Sequence, residues 1–170
     1  MIYKSCGFLN QMECELNGMK IKYDDGKLWV WREKRGNQKL KNPHWFELKG
    51  CVDKGYRRVQ INNKLYKYHR VVYFIHNDDW DIHDSSTDNS IDHIDRNKLN
   101  NNIENLRVVT HQQNQWNKDG KGYYFNKPSG KYLAHIRVDG ENKHLGYFTS
   151  EQAARDSYLE AKMLLHQILP

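Results

Sequence analysis

Residues 90–118 read SIDHIDRNKLNNNIENLRVVTHQQNQWNK, and this stretch decides the fold. Ser90 to Ile94 predicts a short strand. Asp95 to Asn105 is rich in Asn, which fits a loop whose side chains bond to backbone. Leu106 to Val109 predicts a second strand. Thr110 followed by Gln113 is a capping-box pair, so a helix should run from His111 to about Lys118. The order is strand, loop, strand, helix, with Asp92 and His93 at the front and Asn114 on the helix.

Upstream, residues 18 to 68 read as short strands. Asp24-Asp25-Gly26, Lys54-Gly55 and Asn62-Asn63 are turn signals, and Leu28 to Trp31, Tyr56 to Ile61 and Leu65 to Tyr68 are the runs between them. His69 to His76 predicts a short buried helix that carries the apolar run Val71 to Ile75. Residues 77 to 90 form a polar loop, in which Asp78, Asp79, Asp81 and Asp84 are either solvated or part of an approach to a metal.

Downstream, residues 119–122 read as a linker. Strands are expected at Tyr123 to Phe125, Tyr132 to Val138 and Lys143 to Phe148. Turns fall at Pro128 to Gly130 and Asp139 to Asn142. Thr149 or Ser150 caps a helix to about Ile168, with Ala153, Ala154, Tyr158, Ala161, Leu164 and Leu165 on one face. The expected fold class is α+β, in two domains. Residues 1–118 hold N-terminal antiparallel strands and the strand-strand-helix core, and residues 119–170 hold a three-stranded sheet packed on one helix.

A length of 170 residues suits one ordinary domain or two small ones. With 27 Lys and Arg against 21 Asp and Glu, the chain carries a formal charge of +6 and a standing attraction to polyanions. Cys6, Cys14 and Cys51 contain no Cys-x-x-Cys pair, which removes zinc-finger chemistry. An odd cysteine count without a secretory leader implies reduced thiols and a cytoplasmic location. No apolar run is long enough to span a membrane.

Asp92, His93 and Asn114 suit hydrolysis of a phosphodiester. That reaction needs an activated water, charge neutralisation at the phosphate and stabilisation of the leaving oxygen, and one hard divalent ion covers the last two. Asp92 offers a carboxylate oxygen and Asn114 an amide oxygen to such an ion. His93 suits a general base, since an unperturbed imidazole titrates near neutrality. Adjacent strand residues point to opposite faces, so Asp92 and His93 share a phosphate only where the strand end twists or bulges.

Asp92-His93-Ile94-Asp95, then Asn101-Asn102-Ile103-Glu104-Asn105-Leu106-Arg107-Val108-Val109-Thr110, then Asn114 resembles the HNH nuclease family, and its phage and intron homing endonucleases in particular. The resemblance implies a ββα-metal core with Asp92 and Asn114 as ligands and His93 as the base. Asn105 would tie the loop and orient that base. The implied ion is Mg²⁺, with Mn²⁺ or another divalent ion as the alternative. Tyr68-His69-Arg70-Val71-Val72 resembles the His-Arg-hydrophobic segment that precedes the motif in that family. Asn114 stands where the family's last His would be. For His69, His76, His83 and His111, packing, capping or solvation is the favoured role. Arg107 suits a phosphate contact or an ordinary surface role.

Residues 121 to about 166 resemble the plant ethylene-response-factor type of DNA-binding domain, through Gly130 to Arg137, Leu145 to Phe148 and Glu151 to Arg155. That likeness places DNA contacts on Lys121, Tyr124, Asn126, His135, Arg137, Asn142 and His144, with guanine reading resting mainly on Arg137. Ala134, Ile136 and Val138 should face the helix, and Leu133, His135 and Arg137 should face outward.

In the N-terminal strands, Arg32, Lys34, Arg35, Lys39, Lys41, Arg57 and Arg58 alternate with Trp29, Trp31, Trp45 and Tyr56. Both a DNA-facing sheet and a solvated sheet with core aromatics fit. The combined expectation is an endonuclease for double-stranded DNA, acting in a bacterial host cell if phage-encoded. As a monomer it would nick one strand; a double-strand break would need a homodimer or two sequential events. The alternatives are a DNA-binding regulator with an inactive nuclease core, and a restriction or repair nuclease on the same core.

Overall fold

The computed structural model describes residues 12–167, so Cys6 and the expected helix end at Ile168 lie outside the described residues. Among the described residues, three α-helices and small antiparallel sheets make an α+β arrangement. Contacts divide it into two compact units, Met1–Val108 and Val109–Pro170. The sequence expectation sets the division ten residues later, whereas by contacts the capped helix groups with the C-terminal unit.

In the first unit, β1 (Met12–Leu16), β2 (Met19–Asp24), β3 (Lys27–Arg35) and β4 (Gln38–Glu47) form a meander in that order. Asp25 and Gly26 at the β2–β3 turn both have positive φ, the conformation that a tight hairpin demands. A second meander holds β5 (Cys51–Asp53), β6 (Tyr56–Ile61) and β7 (Lys64–Lys67). The two meanders are clasped at their turns. Asn17 Nδ2 donates to the carbonyls of Ile61 and Asn62, at 3.0 and 2.9 Å, and Asn62 Nδ2 returns a bond to the Asn17 carbonyl at 2.9 Å.

Strand β7 runs straight into α1 (Tyr68–His76). Val71, Val72, Phe74 and Ile75 of α1 are buried with Ile21, Leu28, Val59, Ile61, Ile91 and Leu106 in one apolar cluster. Burial of each such side chain contributes roughly 1.5–3 kcal/mol. The Tyr68 hydroxyl accepts from the Leu28 amide at 2.9 Å inside this cluster, which anchors the helix start. Arg70 donates to the carbonyls of Asn89, Ile82 and Asp84, at 3.0, 3.0 and 3.1 Å, and so pins the acidic loop. Within that loop Asp81 and Asp84 accept from the amides of His83 and Ser86 at 2.8 Å each. These two carboxylates close turns. β8 (Ser90–His93) and β9 (Leu106–Val109) form a separate two-stranded sheet.

The second unit begins with α2 (His111–Asn117), then β10 (Tyr123–Asn126), β11 (Lys131–Val138), β12 (Glu141–Phe148) and α3 (Glu151–Leu165). Asp139 and Gly140 alone make the β11–β12 turn, both at positive φ, and Arg137 already pairs with Asn142. The expected four-residue turn is therefore a two-residue hairpin, the form that matches strand twist. Ala134, Ile136 and Val138 are buried, as the alternation requires, and Ile136 and Val138 cluster with Tyr158 and Ala161 of α3. Leu164, expected on the same face, is 72% exposed, because α3 runs past this small cluster. Gly122 has a φ of +73°, and a Cβ there would stand 2.1 Å from the Tyr158 ring, so only glycine fits. Helix α2 joins this unit through Trp116, which stacks on His166 with centroids 4.7 Å apart, and through Lys162, which donates to the Lys118 carbonyl at 2.6 Å.

Candidate active site

Asp92 and His93 are the last two residues of β8, and only 6% and 4% of their surfaces are exposed. The chain turns immediately after them. The Arg96 amide donates to the His93 carbonyl at 2.9 Å, and Arg96 itself takes a φ of +65°. The two neighbours engage different partners. Asp92 Oδ2 accepts from both Nε and Nη2 of Arg107 on β9, at 3.1 and 3.0 Å. The His93 ring stands edge-on to His69 of α1, centroids 4.7 Å apart, and Tyr56 of β6 lies 6.2 Å away.

His93 Nε2 lies 3.2 Å from Asn101 Oδ1. Asn101 Nδ2 donates to the Leu99 carbonyl at 3.1 Å, which fixes the way the amide points. Its Oδ1 is then an acceptor, so Nε2 is the His93 nitrogen that donates toward it. A histidine held in one tautomer by its far nitrogen is the arrangement that a general base needs.

Asn105 braces the loop. Its Oδ1 accepts from the Asp95 amide at 3.0 Å, and its Nδ2 donates to Asp95 Oδ1 at 2.9 Å and to the Asn100 carbonyl at 2.8 Å. Asp95 Oδ2 also accepts from Asn100 Nδ2 at 2.7 Å, and the Asn100 bond, followed by those from Asn105 and the Asn97 amide, holds the Asp95 carboxyl below its usual range. The tie expected of Asn105 is present, but the side-chain contact described on His93 comes from Asn101. By sequence alone, His69 takes a packing, capping or solvation role and Asn101 no role of its own. The signal for His69 was the Tyr68-His69-Arg70 segment; for Asn101 it was one Asn among several in a loop, with nothing to single it out.

His69 is 3% exposed, and its Nδ1 is buried without a hydrogen-bond partner among the described residues. Burial first, then His93, Lys67 and Arg70, push its pKa well below that of an ordinary histidine, so it is neutral at neutral pH. Lys67 is also lowered, by burial and then by Arg70, Arg58 and Lys98. Lys67 and Lys98 both lie over the Tyr56 ring, at 5.0 and 4.6 Å, and that ring stands 5.5 Å from His69 and 6.2 Å from His93. Ammonium groups this near the two histidines would attract an anion. His76, His83 and His111 make local contacts. His76 Nδ1 bonds the Val72 carbonyl at 2.8 Å, His83 meets Lys64 at 3.3 Å, and His111 meets Gln115 at 3.2 Å.

Asn114 is half-buried on α2 of the second unit. The capping box that starts this helix is complete: Thr110 Oγ1 accepts from the Gln113 amide at 3.1 Å, and Gln113 Oε1 accepts from the Thr110 amide at 2.8 Å. Among the described residues no group of three or more His, Cys, Asp or Glu side chains is placed to hold a metal ion. Asp92 by itself offers a carboxylate oxygen, the donor type a hard divalent ion takes alongside phosphate and water.

In the second unit, register puts Tyr124 opposite Leu133, Arg137 opposite Asn142 and His135 opposite His144. These side chains share the sheet face turned away from α3, together with Asn126 and its partner Lys131. Tyr124 is 50% exposed and meets His135 edge-on at 5.8 Å. Arg137 Nε donates to the Gly140 carbonyl at 3.3 Å, and Asn126 Oδ1 caps the following turn at the Ser129 amide, 3.2 Å away. Lys121 precedes β10 and pairs with Glu151 at 3.5 Å.

No helix among the described residues is long and apolar enough to cross a membrane. Comparison with curated proteins and with solved structures gave no match. Comparison with protein families gave one: residues 66–116, from Tyr66 through His69, Asp92, His93 and Asn101 to Trp116, match the HNH endonuclease family, so this part of the chain supports a DNA nuclease.

Proposed function

We propose that the protein is a site-specific endonuclease that hydrolyses phosphodiester bonds in double-stranded DNA, of the homing type, with one metal ion and one histidine base per active site. The observation that carries the proposal is the buried pair at the end of β8, where Arg107 holds Asp92 and Asn101 fixes the tautomer of His93. Asp92 and, from the sequence motif, Asn114 would hold a divalent ion, Mg²⁺ by donor chemistry. Such an ion supplies charge neutralisation at the scissile phosphate and at the leaving oxygen. Nδ1 of His93 takes a proton from the attacking water, while Asn101 keeps the opposite nitrogen protonated. The guanidinium of Arg107 orients Asp92 and carries positive charge toward the phosphate. Asn105 and Asp95 hold the loop that carries Asn101.

The open sheet face of the second unit, with Arg137, Asn142, His135, His144, Tyr124 and Asn126, and Lys121 just ahead of it in the chain, support a second DNA contact. A long target site follows from two such contacts, and a long target favours homing over restriction. One active site per chain cuts one strand, so a monomer nicks.

The test is a supercoiled plasmid incubated with protein and Mg²⁺ or Mn²⁺. Nicked product from the wild type and none from His93→Ala, with DNA binding retained by both, is the expected result. A wild type that cuts no DNA with either ion refutes the nuclease reading and leaves a DNA-binding regulator. Linear product at first-order enzyme dependence, without a nicked intermediate, refutes one-strand cutting.

A further inference from the structure

The N-terminal basic residues do not form one surface. Arg58 is spent on Asp53, at 3.0 Å, and Arg57 lies over the Tyr68 ring at 5.1 Å. Arg32 covers the Phe46 ring at 4.0 Å. Lys34, Arg35, Lys39 and Lys41 are different. All four are exposed at the far end of the β3–β4 hairpin, and none forms an ion pair among the described residues. The ten residues 32–41 hold five of the chain's 27 Lys and Arg, against the single acid Glu33, which accepts from the Trp31 indole at 3.2 Å.

Register sharpens the point. Lys34 stands directly opposite Lys39 across the ladder. Like charges at that position cost stability in the free protein. A register shift between Arg32 and Lys34 then separates this end from the Trp31–Trp45 pair nearer the core, and Pro43 lies in the stretch of β4 where pairing is interrupted. The irregularity sits on an edge strand, where a proline is tolerated and extra twist is expected. The result is a narrow two-stranded ribbon with uncompensated positive charge on both strands.

We propose that the β3–β4 ribbon, through Lys34, Arg35, Lys39 and Lys41, binds the phosphates flanking a groove of duplex DNA. The major groove, roughly 12 Å wide, admits a two-stranded β-ribbon. Phosphate neutralisation removes the Lys34–Lys39 repulsion that the free protein carries. The contact deepens the nuclease reading and rests on it for its substrate: the ribbon holds the duplex by its backbone without reading sequence, and bases are read elsewhere.

The experiment measures binding of a short labelled duplex of arbitrary sequence, in EDTA, across a salt series. The quadruple variant Lys34→Gln, Arg35→Gln, Lys39→Gln, Lys41→Gln is compared with wild type and with Lys39→Gln alone. Each phosphate contact adds about 0.9 to the slope of log K against log salt, so the quadruple variant should lose about 3.6 and the single variant about 0.9. Cleavage at saturating DNA with Mg²⁺ should be unchanged. Wild-type slopes in either variant overturn the proposal. So does a single variant that keeps its slope while the quadruple aggregates, because lysines on an edge strand then serve only to block strand pairing. Failure of the nuclease reading looks different, since the wild type would then bind and never cut.

Discussion

Arg107 donates from Nε and Nη2 to one oxygen of Asp92, and the Asp92 side chain is only 7% exposed. An ion pair so buried is costly to break from one side. Arg107→Ala leaves the charge without its described ion-pair partner and should destabilise the metal-free protein by about 3–5 kcal/mol, read from urea unfolding. Divalent ion should raise the variant's Tm more than the wild type's, because a bound cation replaces the lost charge. Arg107→Lys should recover only part of the loss, since an ammonium cannot reproduce the two-pronged contact.

Removal of the proposed base should act on chemistry and spare binding. His93→Ala should lower the cleavage rate by about 10²–10⁴-fold, measured as single-turnover nicking. Asn101→Leu should lower kcat with little change in KM, because it releases the tautomer without touching the DNA-contacting surface. Asn101→Asp, which keeps an acceptor opposite Nε2, should retain more activity than Asn101→Leu.

His69 gives a pH signature in stability. Its folded pKa lies well below the ordinary value through burial, so the unfolded chain binds its proton first as pH falls. Stability from this residue is complete above its unfolded pKa of about 6.5 and declines below that at up to about 1.4 kcal/mol per pH unit. Urea midpoints should therefore fall between pH 7 and pH 5, and His69→Leu should flatten that dependence. A variant with the wild-type pH profile would show that other groups set it.

The second unit should fail at Gly122. Alanine there meets a positive φ and the Tyr158 ring together, so Gly122→Ala should destabilise this unit by about 2–4 kcal/mol in thermal unfolding. Arg137→Ala should instead leave stability intact and relax target preference by about 1–3 kcal/mol at one base pair, measured by selection from a degenerate duplex pool.

The sequence by itself determined the local elements of residues 90–118. Strand, loop, strand and capped helix appear with boundaries within a residue, because Thr110, Gln113 and the Asn-rich loop encode their hydrogen bonds over a few positions. The three-strand, one-helix pattern of the C-terminal unit was legible for the same reason, through alternation at Ala134, Ile136 and Val138. The proposed roles of Asp92 and His93 likewise come from residue chemistry and motif spacing. Only the tertiary structure decided their company. Arg107 lies 15 residues from Asp92, and His69 lies on another element from His93, and no local pattern records that such pairs meet. Tertiary structure also divided the N-terminal cations into packed residues, Arg57 and Arg58, and exposed ones on the ribbon, since alternation gives a face but not what covers it. Local hydrogen bonding is written in neighbouring residues, whereas burial and ion pairing depend on which distant elements pack together.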